Sequence, residues 1–132
     1  MELKVGDRLP DVVLRPSVTQ LFRYSAVTWN SHRIHYDVEW ARHEGHKGVL
    51  VHSHLHAANA LRPLTDGLGP GWNITKAAYR VVRPAAAGET LIATAEVISR
   101  SEDGKMMEFA LREINADGEA CCEGTAVAVR RA

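Results

Sequence analysis

Residues 53–66 have the sequence S-H-L-H-A-A-N-A-L-R-P-L-T-D, and this stretch predicts the central helix of the fold. Leu55, Ala58 and Leu61 recur at the spacing of one helical face. Ser53 is a good N-cap residue and predicts where the helix begins, and the three glycines that follow residue 66 predict where it ends. Pro63 should kink the helix or begin a separate final turn.

Four segments rich in β-branched and aromatic residues follow the helix, and turn signals separate them. They predict an antiparallel meander of three successive hairpins, with strands at residues 74–82, 90–99, 106–114 and 120–129. Alternation is clear in the third strand, where Phe109, Leu111 and Glu113 share one face. A further strand from the N-terminal segment completes an α+β fold in which an antiparallel sheet wraps a helix, which is the hot-dog architecture.

The length and composition agree with one soluble domain spanning residues 1–132. Sixteen Lys and Arg balance sixteen Asp and Glu, so no net field favours nucleic acid or an anionic membrane as a partner. No segment approaches the roughly 18 apolar residues of a membrane span, and no signal-peptide core follows Met1. We therefore expect a cytoplasmic protein.

The predicted sheet would leave one strand edge and one side of the helix uncovered. Pairing with a second hot-dog chain, either an identical copy or a homologue, removes such an edge. We therefore expect a homodimer or a heterodimer that continues the sheet.

Histidine is distributed unevenly along the chain. All seven histidines lie between His32 and His56, a window of 25 residues. Histidine exchanges protons near neutral pH, so the chemistry of the protein is expected in this window. A metal site is not expected from His52, His54 and His56, because a helical spacing of two turns successive rings about 200° apart.

Residues 22–37 and 44–53 resemble the MaoC-like hot-dog hydratases and dehydratases. The elements that carry the resemblance are Asn30, the Ile34-His35 pair, Asp37 opening a short helix, and the apolar run 49–53 that enters the central helix. The nearest branch is the hydroxyacyl-thioester dehydratase type 2 and mesaconyl-CoA hydratase group. The resemblance covers roughly residues 18–98, and beyond them only the strand pattern agrees.

The resemblance implies reversible addition of water to a 2-enoyl thioester carried on coenzyme A or on acyl carrier protein. His35 matches the catalytic histidine of the family. Ser53 lies where the family usually has glycine, whose backbone N–H binds the thioester oxygen, and serine keeps that N–H. No metal ion or redox cofactor is implied.

The sequence departs from the family at the second catalytic group, an aspartate five residues before the histidine. That position holds Asn30, and an alternative alignment with one inserted residue places Thr28 there. Asn30 can orient a water molecule but cannot accept a proton. Asp37 is the nearest acid, and we interpret it as a helix N-cap. His32 could share proton transfer with His35 or be a loop histidine bonded to backbone.

Three further residues are candidates for substrate binding. His52 precedes the central helix and either shapes the pocket or packs structurally. Trp29 is a candidate wall of the acyl pocket. Arg80 could meet coenzyme A phosphates, although a solvated charge at the rim of a sheet is a common alternative.

The missing aspartate motivates a second hypothesis, a non-catalytic acyl-CoA-binding subunit that pairs with a homologous chain carrying the full Asp/His set. A hot-dog thioesterase is a third, disfavoured because no acid lies in the N-terminal half of the central helix.

Overall fold

The computed structural model describes residues 2–132, and it contains a five-stranded antiparallel sheet curled around one helix. The strands are β1 (Val12–Leu14), β2 (Trp72–Val81), β3 (Leu91–Arg100), β4 (Met106–Ile114) and β5 (Ala120–Arg130). Their order across the sheet is β1-β3-β4-β5-β2. The predicted α+β hot-dog fold is confirmed.

The prediction of three successive hairpins is wrong for the first pair of strands. β3–β4 and β4–β5 are hairpins, but β2 pairs with β5 and lies at the opposite end of the sheet from β1. The reason lies in residues 82–90, which do not form a tight turn. They pair instead with the apolar run before the central helix, where Val51 N–H donates to the Ala85 carbonyl and Ala87 N–H to the Val49 carbonyl.

The central helix is α3 (Ser53–Gly67), in good agreement with the predicted span. Its N-cap residue is His52, which makes no side-chain capping bond, so the prediction of Ser53 as the cap is wrong by one position. Pro63 lies inside the continuous helix, and a separate final turn does not form. Proline cannot donate to the carbonyl of Asn59, but both residues are buried against the sheet, where packing stabilises the helix.

Two shorter helices precede α3. The helix α1 (Val18–Thr28) was not predicted, and its N-cap is Ser17, whose hydroxyl accepts from the Gln20 N–H at 3.0 Å. After a single 3-10 turn (Arg33–His35) comes α2 (Val38–His43), which matches the predicted short helix. Asp37 caps α2 by accepting from the Trp40 N–H at 3.0 Å, so the interpretation of Asp37 as a cap is confirmed.

The buried residues form two clusters that fix α3 relative to the rest. In the first, Leu64 packs on inward-facing residues of β3 and β4 such as Val97 and Phe109. In the second, Leu55 meets Leu21 of α1 and the apolar run before α3. The second cluster therefore holds α1 and the N-terminus of α3 side by side. No helix in the described residues is long and apolar enough to cross a membrane.

Candidate active site

His35 lies at the end of the 3-10 turn and is held by the chain segment that leads into α3. Its Nδ1 donates to the Leu50 carbonyl at 2.8 Å, because a carbonyl oxygen can only accept. The Leu50 N–H donates in turn to the Ile34 carbonyl at 2.8 Å. His35 is 8% exposed. With the proton of the neutral ring on Nδ1, the Nε2 lone pair is available as a base.

His52 lies directly against His35. The two imidazole rings are stacked, with centroids 3.8 Å apart and planes inclined by 18°. On the other side, His52 Nε2 lies 2.7 Å from the Ser25 hydroxyl oxygen, and the Tyr24 ring is centred 4.7 Å away. Both Tyr24 and Ser25 belong to α1. The sequence left open whether His52 packs or shapes the pocket, and in the structure this side chain does both.

The environment lowers the pKa of both stacked histidines. For His35 burial is the main cause, opposed by the hydrogen bond to Leu50 and reinforced by the charge of His32. For His52 burial, followed by the charges of His35, His54 and His56, lowers the pKa to about 4. Both rings are therefore neutral at neutral pH, which is the state in which His35 can accept a proton.

A cavity of about 620 Å³ opens in front of these rings. It brings together six of the seven predicted site residues, and only Arg80 is outside it. Its lining residues are Tyr24, Thr28, Trp29, Asn30, Ser31, His32, His35, His52, Ser53 and His54. An adjoining apolar cavity of about 350 Å³ shares Trp29, Asn30 and Ser31 with it and extends along α1 past Phe22 and Ala26.

The N-terminus of α3 supplies hydrogen-bond donors to this cavity. The first backbone N–H groups of a helix have no acceptor within the helix, and the N-cap residue His52 gives them no side-chain acceptor. Ser53 and His54, the first two residues of α3, line the cavity beside His35. The helix dipole adds a partial positive charge at the same place. The arrangement suits an oxygen atom on which negative charge develops.

Asn30 and His32 shape the loop between α1 and His35. The Asn30 side-chain oxygen accepts from the His32 N–H at 3.2 Å, and His32 Nδ1 accepts from the Ile34 N–H at 3.3 Å. The His32 ring meets the His35 ring edge-on, with centroids 6.1 Å apart. Both side chains thus stabilise the loop while lining the cavity. None of the lining residues found in the described chain is a carboxylate.

Three other side chains singled out from the sequence lie at the rim of the cavity or outside it. Trp29 lines both cavities, as expected of a candidate wall of the acyl pocket, and its indole is 93% exposed at the rim. Asp37 faces away and pairs with Arg33 at 2.8 Å. Arg80 projects from β2 into solvent and lies 3.7 Å from Glu123.

Sequence reasoning missed Tyr24 and Ser25, which contact His52 from α1. The signal that predicts them is the start of α1, where Ser17 stands three residues before Gln20 in the spacing of a capping box. A helix beginning there carries Leu21 and Ser25 on one face, four residues apart, and both are buried.

The family model for hydroxyacyl-thioester dehydratase type 2 matches residues 7–87. The chain belongs to this family. Mesaconyl-C(4)-CoA hydratase from Chloroflexus aurantiacus is a relative of this dehydratase-family chain, 54% identical over 41 residues. That match covers 30% of this chain and only 15% of the hydratase.

Solved structures show the same fold at low sequence identity. The (R)-hydratase from A. caviae involved in PHA biosynthesis superimposes with a TM-score of 0.90 at 22% identity, covering 98% of each chain. The ChsH1-ChsH2 complex from Mycobacterium tuberculosis gives 0.87 at 23% identity, over 97% of this chain and 98% of the other. A MaoC-like dehydratase from Rhodospirillum rubrum gives 0.80 at 24% identity, over 98% and 94%. These structures confirm the hot-dog fold, and the family model confirms the resemblance to the hydroxyacyl-thioester dehydratase type 2 branch.

Proposed function

We propose that this protein catalyses the reversible addition of water to the double bond of a 2-enoyl thioester, giving a 3-hydroxyacyl thioester. The observation that carries the proposal is the hydrogen bond from His35 Nδ1 to the Leu50 carbonyl, which leaves Nε2 as an acceptor next to the N-terminus of α3. The carrier is coenzyme A or acyl carrier protein, and the coenzyme A ester named for the Chloroflexus relative favours the former.

His35 acts as the general base of the reaction. Its Nε2 takes a proton from water as the water oxygen bonds to Cβ, and the π electrons move through Cα onto the thioester oxygen. The enolate then takes the proton back from His35 at Cα, so the histidine is regenerated and no redox cofactor is consumed. The lowered pKa of His35 keeps the ring unprotonated before it acts, and it makes the protonated ring a better proton donor than an ordinary imidazolium.

The first N–H groups of α3 stabilise the enolate oxygen. Ser53 contributes its backbone N–H, which does not depend on the side chain, and the positive end of the helix dipole adds to the effect. Asn30 is close enough to the cavity to orient the attacking water, and Trp29 with the adjoining apolar cavity offers a surface for the acyl chain. Arg80 remains a predicted contact for coenzyme A phosphates.

The test is hydration of a panel of 2-enoyl-CoA esters by the wild type and by His35→Ala. We expect kcat/KM to fall by at least about 100-fold in the variant, the effect of removing a positioned acid–base group. His43→Ala is the matched control, because His43 is exposed on α2 and does not line the cavity. Undiminished hydration by a folded His35→Ala variant would remove His35 from the mechanism.

The absence of a carboxylate from the cavity lining in residues 2–132 favours a second candidate, an acyl-CoA-binding subunit that pairs with a catalytic homologue. An inert wild type that binds 2-enoyl-CoA would support this candidate. A neighbouring reading frame with the sequence pattern D-x-N-P-x-H would identify the partner.

A further inference from the structure

A second group of polar side chains lies deeper in the protein, between α3 and the sheet. Glu113 of β4 is 0% exposed and accepts two hydrogen bonds from α3. One comes from His56 Nδ1, and the other from the Asn59 side-chain amide at 2.7 Å. The proposed reaction uses none of these three side chains. We call them, together with His52, the interior polar cluster.

Three atoms of this cluster have no hydrogen-bond partner among the residues described. They are His52 Nδ1, His56 Nε2 and Asn59 Oδ1, and each belongs to a side chain that is 1% exposed. The residues are spaced four and three apart, so they lie on one face of α3. A buried polar atom without a partner loses its hydrogen bond to water on folding, so such atoms are rarely left unpaired.

Which of these atoms can donate and which can accept follows from the hydrogen bonds that the same side chains already make. The carboxylate of Glu113 only accepts, so the Asn59 amide nitrogen faces Glu113 and Asn59 Oδ1 remains an acceptor. By the same reasoning, His56 Nδ1 carries a proton. The ring of His52 is neutral because burial and the neighbouring histidines lower its pKa to about 4.

The proton on the neutral His52 ring is assigned through Ser25. This hydroxyl is buried, and His52 Nε2 is its one hydrogen-bond partner in the described chain. Donation from the hydroxyl satisfies the serine proton, and it places the proton of His52 on Nδ1. The free atoms are therefore a donor at His52, an acceptor at Asn59, and His56 Nε2 between them.

We propose that an ordered internal water bridges His52 Nδ1, His56 Nε2 and Asn59 Oδ1. Residues four apart on a helix have Cβ atoms about 6 Å apart, which two hydrogen bonds of about 2.8 Å through one water can span. A buried water typically makes about three hydrogen bonds, and this cluster has three atoms without a partner. Water both donates and accepts, so one molecule can donate to His56 Nε2 and Asn59 Oδ1 and accept from His52 Nδ1.

The bridge completes a hydrogen-bonded chain from Ser25 through His52 and His56 to Glu113. Glu113 holds the proton of His56 on Nδ1, so the water donates to His56 Nε2 and accepts from His52 Nδ1. Glu113 thus acts together with Ser25, as a positioning residue, to keep the proton of His52 on Nδ1. The groups packed beside Glu113 on β5 are Cys121 and Cys122, whose thiol pKa values are raised to about 11, first by burial and then by the charge of Glu113. Both thiols stay protonated at neutral pH, so they add no charge beside Glu113.

The neutral state of His52, with its proton held on Nδ1, affects His35, whose ring is stacked on it. When His35 takes up a proton, a neutral neighbour 3.8 Å away does not repel the new charge, whereas a protonated one would. The use of His35 as a base rests on the proposed function. The water site and the position of the proton on His52 do not.

The first test is ¹⁵N NMR of the histidine side chains at neutral pH. In the wild type we expect His52 in the single Nδ1–H tautomer, and in Glu113→Gln a mixture of both tautomers. The amide introduced by this substitution can donate as well as accept, so it no longer dictates the direction of the chain. Glu108→Gln is the matched control, because Glu108 lies on the opposite face of the same strand. An Nε2–H tautomer in the wild type, or no change in Glu113→Gln, would overturn the positioning role.

The second test uses the wild-type protein, so it does not depend on the folding of a variant. A high-resolution crystal structure of the wild type should show a water within about 2.7–3.2 Å of His52 Nδ1 and His56 Nε2. A direct bond between the two rings, or a dry site, would overturn the water. Because both tests use the protein without substrate, an inert enzyme with the water in place would refute only the proposed function.

Discussion

Asp37 follows the 3-10 turn that carries His35, and both of its oxygens are engaged in holding that turn. One accepts from the Trp40 N–H at the start of α2, and the other pairs with Arg33. The hydrogen bond to Trp40 and then the bond to Arg33 keep the pKa of this carboxyl below its usual range. Asp37 therefore stabilises the loop, and we expect it to take no part in proton transfer.

Replacing Asp37 by Asn should accordingly change stability and leave the rate of hydration unchanged. We expect the melting temperature at pH 7 to fall by roughly 2–8 °C, the effect of weakening a cap. A lowered pKa stabilises the fold above the unfolded value near about 3.9, and this contribution is lost as the pH falls through the folded value. The difference in melting temperature should thus vanish in acid. Loss of rate at an unchanged melting temperature would make Asp37 a catalytic group.

Asn30→Asp tests whether the position of Asn30 accepts a second base. The variant keeps an oxygen that can accept from the His32 N–H, so the loop should fold, and hydration should be retained or raised. A carboxylate beside His35 raises the pKa of the imidazole, so the acid limb of the rate profile should move to higher pH. Asn73→Asp, on exposed β2, is the control of equal charge. A slower reaction at neutral pH would instead indicate that a negative charge there obstructs the site.

Among the helices and strands, the sequence predicts those features that a local pattern of residues determines. The alternation in β4 places Glu113 on the buried face, and the structure confirms it. The strand that pairs with β2 could not be predicted, because the alternation of side chains along β2 is the same whether β2 pairs with β3 or with β5. The choice is made by Ala85 and Ala87, which bond to the run before α3 instead of turning back.

The interior polar cluster shows a second limit of sequence reasoning. Glu113 lies on a strand face that is otherwise apolar, and this position alone indicates that the carboxyl group has a buried polar partner. Its partners His56 and Asn59 lie 57 and 54 residues away, however, and no local pattern joins them. The site residues Asn30, His32, His35 and Ser53 were found because a single stretch of chain, with a recognisable motif, carries them all.

The pairing of β2 with β5 depends on the lack of a side chain at Gly124. An added Cβ would collide with the Ala78 carbonyl oxygen, which belongs to the backbone of β2 and cannot swing away. We expect Gly124→Ala to lower the free energy of unfolding by roughly 2 kcal/mol or more. Gly71→Ala is the control, because an added Cβ there meets no atom within 4 Å. Equal denaturation midpoints in urea for both variants would contradict this account.

For the whole molecule, the two ends of the sheet differ. β1 is a strand of three residues, too short to attract another chain, whereas β2 has ten residues and is exposed over most of its length. Its exposed residues include Ala77 and Tyr79. A second chain that pairs with β2 would cover this edge.

We therefore expect light scattering at micromolar concentration to give the mass of a dimer. Ala77→Lys places a charge on the exposed β2 strand and should shift the protein to the monomer. Glu102→Lys, in the exposed turn between β3 and β4, adds the same side chain away from the edge and should leave the dimer intact. A monomeric wild type would contradict the predicted dimer, and a dimer that survives Ala77→Lys would place the interface elsewhere.

The backbone of Trp29 has a positive φ of 56°, and the residue ends α1 with its indole in solvent at the mouth of the cavity. Trp40 and Trp72 are half-buried, so the three tryptophans occupy different surroundings. An indole in water emits at longer wavelength than one in an apolar environment. The red edge of the intrinsic fluorescence of this protein therefore belongs mainly to Trp29, and the entrance of the site carries its own optical reporter.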